Sequence, residues 1–159
     1  MRLGFAAAAA VCLLSLNAAA AGPGAADGAS RFLSLRTDGA NGRRGPGLEH
    51  RIDWIYARPG LPLLVTGESG PWRRVRDPDG GEVWMHTQNL EQRRMAYVRT
   101  AADMRSHPRA GARVKAHLAP GVIGALTGCE EGWLRIAIGG RVGWVEAPAI
   151  WGAEGCAGL

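Results

Sequence analysis

The sequence has 159 residues, 47% of them hydrophobic, with 19 Lys+Arg against 14 Asp+Glu and a formal charge of +5. That length admits one ordinary domain or two very small ones. The basic balance would suit anionic partners, including nucleic acid, but the bases are scattered rather than blocked, and the export expected from the N-terminal segment argues against nucleic acid, so no nucleic-acid partner is expected.

In chain order, the first stretch is "MRLGFAAAAAVCLLSLNAAAAGPGAADGAS". Arg2 forms a short positive n-region, residues 3–16 an apolar run, and "NAAAAG" supplies small-residue cleavage sites after Ala20 or Ala21. This is the layout of a secretory signal peptide over residues 1–21. The apolar run is too short for the ~20 residues of a spanning helix. Cys12 lies inside it as filler. No second apolar run of that length follows, so no integral membrane segment is expected after cleavage, and the product is expected to be periplasmic or secreted. A flexible segment, 22–31, precedes two units at 32–92 and 93–153, and residues 154–159 form a tail.

The two units come from an internal repeat. "NGRRGP" (41–46) aligns with "DMRSHP" (103–108), with Arg43 on Arg105 and Pro46 on Pro108, an offset of 62. "PGLPLLVTGESGPW" (59–72) aligns with "PGVIGALTGCEEGW" (120–133) at an offset of 61. There Pro59, Gly60, Thr66, Gly67 and Trp72 meet Pro120, Gly121, Thr127, Gly128 and Trp133. "VWM" (83–85) then aligns with "GWV" (143–145) at an offset of 60. The offset drifts where loops can lose a residue.

Each unit reads as all-β. "LPLLV" and "VIGAL" are short apolar runs entered through Pro-Gly, "WLRIAI" alternates, and Gly139-Gly140 is a two-residue hairpin turn that needs positive φ. "DPDGG" (77–81) does the same work in the first unit. "HTQNLEQRRM" is too short and lacks an apolar stripe, so it reads as a 3₁₀ turn and linker. Placing the turn at Gly139-Gly140 sets Leu134 opposite Val145, Arg135 opposite Trp144 and Ala137 opposite Val142. Alternation then sends Leu134, Ile136, Ile138 and Val145 into the core and Trp133, Arg135 and Trp144 to the other face. Gly143 opposes Ile136, leaving room for the next strand. Arg135 is placed to stack on Trp144, and Arg74 on Trp84 in the first unit.

Two cysteines follow the signal segment, Cys129 and Cys156. In an oxidising compartment an even pair invites a disulfide. The bridge would close a loop of 27 residues, worth about 3 kcal/mol in the chain-entropy model. The alternative is two free thiols.

The recurring pattern "N-x-R-x-G-P … P-G-L-P … W-x-x-[VI] … G-W-V" resembles the bacterial SH3-like domain. Residues 31–152 are similar to exported alphaproteobacterial proteins with two SH3-like copies, through "WIYARPGLPLLV" (54–65) and "IWGA" (150–153). The resemblance implies all-β architecture: two tandem, mostly antiparallel, five-stranded SH3-like barrels after a cleaved signal peptide. It implies no established biochemical activity, and no cofactor is expected. The pattern is departed from in three places: Gly42 replaces an apolar strand residue, Glu82-Val83 replaces the glycine before Trp84, and Leu134 stands where relatives carry a cysteine.

His50, His86, His107 and His117 show no metal spacing and read as solvated loop residues. No nucleophile sits beside a base, so the chain is expected to be non-catalytic. Binding is the better expectation. By the resemblance, the tryptophans that open the strand pairs, Trp72 and Trp133, line a peptide groove, with Tyr56 beside them and Trp84, Trp144, Arg74 and Arg135 on the same aromatic surface. Tryptophan offers a broad plate and one N–H donor, which suits extended segments. The expected partner is a peptide: a peptidoglycan stem peptide or a segment of an envelope protein. The competing reading is an assembly subunit of an envelope complex, with the Trp faces buried between barrels or against a fixed partner.

Overall fold

The computed structural model describes residues 31–153 and Cys156. The signal-peptide reading, most of the 22–31 segment and most of the tail lie outside the described residues. The first unit contains β1 (Phe32–Leu35), β2 (Ala40–Arg43), β3 (Ile52–Tyr56), β4 (Pro62–Ser69), β5 (Trp72–Arg76), β6 (Glu82–His86), a 3₁₀ turn (Thr87–Asn89) and β7 (Leu90–Glu91). The second repeats that order as β8 (Met95–Val98), β9 (Ala102–Arg105), β10 (Val114–Leu118), β11 (Ile123–Glu130), β12 (Trp133–Ile138), β13 (Arg141–Glu146), a 3₁₀ turn (Ala147–Ala149) and β14 (Ile150–Trp151). The sheets run β3-β2-β6-β5-β4-β1-β7 and β10-β9-β13-β12-β11-β8-β14, with antiparallel pairing throughout. Each barrel therefore has seven strands rather than five. The additions are one arm of the β2–β3 (β9–β10) hairpin and the two-residue strand after each 3₁₀ turn.

The repeat anchors have physical causes that recur in both copies. Gly60 donates its N–H to the Leu35 carbonyl at 2.7 Å and Gly121 to that of Val98 at 2.8 Å, so each Pro-Gly turn is tied to its first strand. Each Thr-Gly pair sits at a β-bulge, between Val65 and Gly67 and between Leu126 and Gly128. There the hydroxyls of Thr66 and Thr127 donate to the carbonyls of Arg74 and Arg135, at 3.4 and 3.1 Å. Arg43 Nη1 donates to the His50 carbonyl at 2.7 Å and Arg105 Nη1 to the equivalent Ala112 carbonyl at 3.0 Å, closing the long β2–β3 and β9–β10 loops. These anchors satisfy backbone groups that irregular loops would otherwise leave unpaired.

The β12–β13 register is the one expected: Leu134 opposite Val145, Arg135 opposite Trp144, Ala137 opposite Val142. Gly139 and Gly140 both have positive φ, 54° and 78°, as the mirror-image two-residue turn demands. Leu134, Ile136 and Val145 are buried, with Ile138 packed at the margin of their cluster. In the first barrel Leu35, Leu63, Val75, Val83 and Met85 fill the same place. Each such side chain contributes about 1.5–3 kcal/mol by burial.

The barrels meet along a seam of their own. Phe32 packs edge-on against Trp151 at 5.2 Å between centroids, and Trp151 Nε1 donates to the Pro62 carbonyl at 2.9 Å. Tyr97 and Ile123 of the second barrel pack on the core of the first. The buried Ser34 donates to the Arg93 carbonyl of the linker at 2.8 Å. Arg58 reaches over to the Gly121 carbonyl and lies above the Tyr97 ring, 5.8 Å from its centroid. The "WG" of "IWGA" thus has a cause: a Cβ on Gly152 would collide with the backbone carbonyl of Met95. Trp151→Ala should remove about 2 kcal/mol of packing and split one cooperative thermal transition into two. A single unshifted transition in calorimetry would show that the seam does not couple the barrels.

Candidate functional site

The tryptophans occupy the expected face but differ in exposure. Trp72 pairs with His86 and Trp133 with Glu146 across the β5–β6 and β12–β13 ladders. Trp72 is only 9% exposed, with the His86 ring edge-on at 5.3 Å, whereas Trp133 is half-buried. Trp84 lies between Arg74 and Arg43, and Trp144 between Arg135 and Arg105, as cross-strand neighbours. Among the described residues the guanidinium-over-ring contacts are instead Arg58 on Tyr97 and Arg99 on Trp151. Arg74 turns towards Thr66 Oγ1, 3.1 Å away, and Glu82, 3.8 Å away.

Tyr56 is half-buried and donates its hydroxyl to Asp77 Oδ2 at 2.9 Å. The other Asp77 oxygen accepts the N–H groups of Asp79 and Gly81, at 3.0 and 2.8 Å, so Tyr56 props the "DPDGG" turn. Burial, reinforced by the Asp77 charge, holds its hydroxyl protonated well above the usual tyrosine range. Cys129 and Cys156 are joined, with Cα atoms 5.3 Å apart.

The second barrel opens into a cleft of about 540 Å³, lined by Thr100, Asp103, Arg105, His117, Glu146 and Pro148 among others. Asp103 accepts from Arg105 Nη2 at 2.9 Å and lies 2.8 Å from His117 Nδ1. His117 is therefore a strand residue on β10 rather than a loop residue, exposed as expected but with a carboxylate partner, and His86 likewise lies on strand β6. The pairing of β9 with β10 brings His117 opposite Asp103. None of the seven residues expected at the groove lines this cleft. Trp133 adjoins it through its cross-strand neighbour Glu146. The signal was available in the repeat: aligned on the first barrel, Asp103, His117 and Glu146 become Asn41, Ile55 and His86, so charge is concentrated in one copy only. No group of three or more His, Cys, Asp or Glu side chains among the described residues is placed to hold a metal ion.

Two antiparallel barrels, each with a long second hairpin and a 3₁₀ turn before the last strand, define the SH3-like class. The chain belongs to the bacterial SH3 domain family, whose model matches residues 36–92 and 98–152. Among solved structures it is similar to NlpC2 from Trichomonas vaginalis, at 17% identity and a TM-score of 0.36 over 76% of this chain and 47% of that one. It is also similar to NlpC1 from the same organism, at 17% identity and a TM-score of 0.35 over 87% of this chain and 50% of that one. The chain spans about half the length of both. No curated protein matches it.

Proposed function

We propose that this protein is an extracytoplasmic, non-catalytic binding module that holds a cell-wall peptide or an extended protein segment on its second barrel. The observation that carries the reading is the half-buried Trp133 beside Glu146, which lines the cleft, while its counterpart Trp72 is covered by His86. A peptide bound at the Asp103–Arg105–His117 cluster and running out past Glu146 at the cleft's rim reaches the Trp133 ring beyond it. Clefts that combine an apolar plate with a few fixed polar groups are the usual form of small-ligand and peptide sites. Membership of the bacterial SH3 domain family favours a binding role over chemistry. The form of the assembly-subunit reading that buries the Trp faces between the barrels needs Trp72 or Trp133 in their seam, and that seam is filled by Phe32, Tyr97 and Trp151 instead; burial against a fixed partner is the form that remains.

The test is titration of the purified mature protein with muropeptides and an extended-peptide pool, followed by tryptophan fluorescence. A saturable change is expected, lost in Trp133→Ala and weakened about tenfold in Glu146→Gln, the loss of one charge-assisted contact. Trp72→Ala should lower stability and leave affinity within about twofold when folded protein is compared. Binding that survives Trp133→Ala and Glu146→Gln in folded protein would move the site elsewhere. No binding to either pool would overturn the reading.

A further inference from the structure

The first barrel carries an apolar surface that its own fold does not require. Leu48, Ile52, Trp54 and Ile55 are 76%, 39%, 64% and 65% exposed. Three of them lie on β3, the edge of its sheet, hydrogen-bonded on one side to β2 alone. The second barrel is an internal control. Its edge strand β10 has the same register and the same bulge, with Val114, Ala116 and His117 where β3 has Ile52, Trp54 and Ile55. Ala110 takes the place of Leu48. The strand thus folds without the large residues. Edge strands are normally guarded by charge, and β10 carries Lys115 and His117. On β3 the one charged side chain, Asp53, is held by Arg44 at 2.8 Å and by Arg51 at 3.1 Å, so no lone charge stands among its exposed apolar residues.

We propose that β3 is a self-association surface, where a second copy of this chain adds its own β3 antiparallel to the first across a two-fold axis. Strand pairing satisfies the free backbone groups of both edges, and because Trp54 and Ile55 point to opposite faces, both faces of the joined sheet cover apolar surface. Charge selects the register. Centring the pair on Ile52 brings Arg51 of each copy towards Asp53 of the other, the residue that the bulge leaves out of the β2–β3 ladder, twice by symmetry. Centring it on Asp53 would oppose like charges. An isologous contact needs a self-complementary patch, and the segment from Arg51 to Asp53 is one. A single strand pair with a few flanking side chains lies at the small end of specific interfaces, near ~1,000 Å² in total, so the dimer is concentration-dependent. This inference concerns the first barrel and does not depend on the ligand cleft of the second.

Sedimentation equilibrium of the mature chain from low to high micromolar concentration tests it. A monomer–dimer equilibrium is expected, weakened at least about tenfold in Trp54→Asp and in Ile55→Lys, as for loss of a central apolar anchor. Arg51→Asp should weaken it comparably, and Arg51→Asp with Asp53→Arg should return it to within about threefold of the parent, because the cross-copy charge pairs are restored. Ile52→Cys should form an intermolecular disulfide, since paired strand residues have Cα atoms about 4.5–5.5 Å apart; Glu49→Cys should not. A chain that stays monomeric throughout, a dimer indifferent to Trp54→Asp and Ile55→Lys, or a charge exchange without recovery would each overturn the proposal. All the altered side chains are exposed or lie on the edge strand, and circular dichroism checks that the variants remain folded.

Discussion

Gly143→Val is expected to destabilise the second barrel by about 3 kcal/mol, the upper range for forcing bulk into a packed site. A Cβ at Gly143 would lie 2.8 Å from the Arg105 carbonyl oxygen and 2.9 Å from Met104 Sδ, and nearer still to Met104 Cγ. The first barrel resolves the same contact the other way round. There Gly42 stands where the second has Met104, and Val83 where the second has Gly143; a Cβ on Gly42 would lie 2.8 Å from Val83 Cγ2. One large and one small residue fill each site, exchanged between the copies. Two of the three departures from the family pattern, Gly42 and Val83, therefore compensate each other. Met104→Gly alone should also destabilise, by about 3 kcal/mol, because Met104 is buried and its loss opens a cavity. The double variant should be more stable than the sum of the singles by about 2 kcal/mol. Urea denaturation of the four proteins measures this; additivity within a few tenths of a kcal/mol would show that the two positions do not share one site.

Reduction of the Cys129–Cys156 bridge should remove about 3 kcal/mol from the second barrel, by freeing a loop of 27 residues in the unfolded chain. The segment it closes contains β12, β13 and Trp151, so loosening it also weakens the seam. Cys156→Ser should show the same loss without reductant and no further change with it. Thermal melts with and without dithiothreitol test both arms. A parent protein indifferent to dithiothreitol would mean that the bridge adds no stability, whatever its presence in the fold.

The strand pattern, the two-copy organisation and the β12–β13 register were legible in the sequence because they depend on local rules. Alternation assigns faces, Gly-Gly sets the turn, and four spaced anchors mark the repeat. Strand number was less legible, because β7 and β14 are two-residue strands whose only cause is pairing with β1 and β8. Placing Trp72 and Trp133 on the outer face was a matter of parity, but their unequal burial was not. It depends on whether the cross-strand neighbour is an imidazole that covers the ring or a carboxylate at the rim of a cleft.

The sequence by itself determined the β class, the duplication and the cores, since alternation and turn chemistry act over a few residues at a time. Only the tertiary structure decided that Trp151 rather than Trp72 or Trp133 joins the barrels, that Asp103 and His117 meet across two strands, and that Trp54 stands outside every core. Those outcomes rest on contacts between residues far apart in the chain and on which strand lies at a sheet edge, and no local periodicity encodes either.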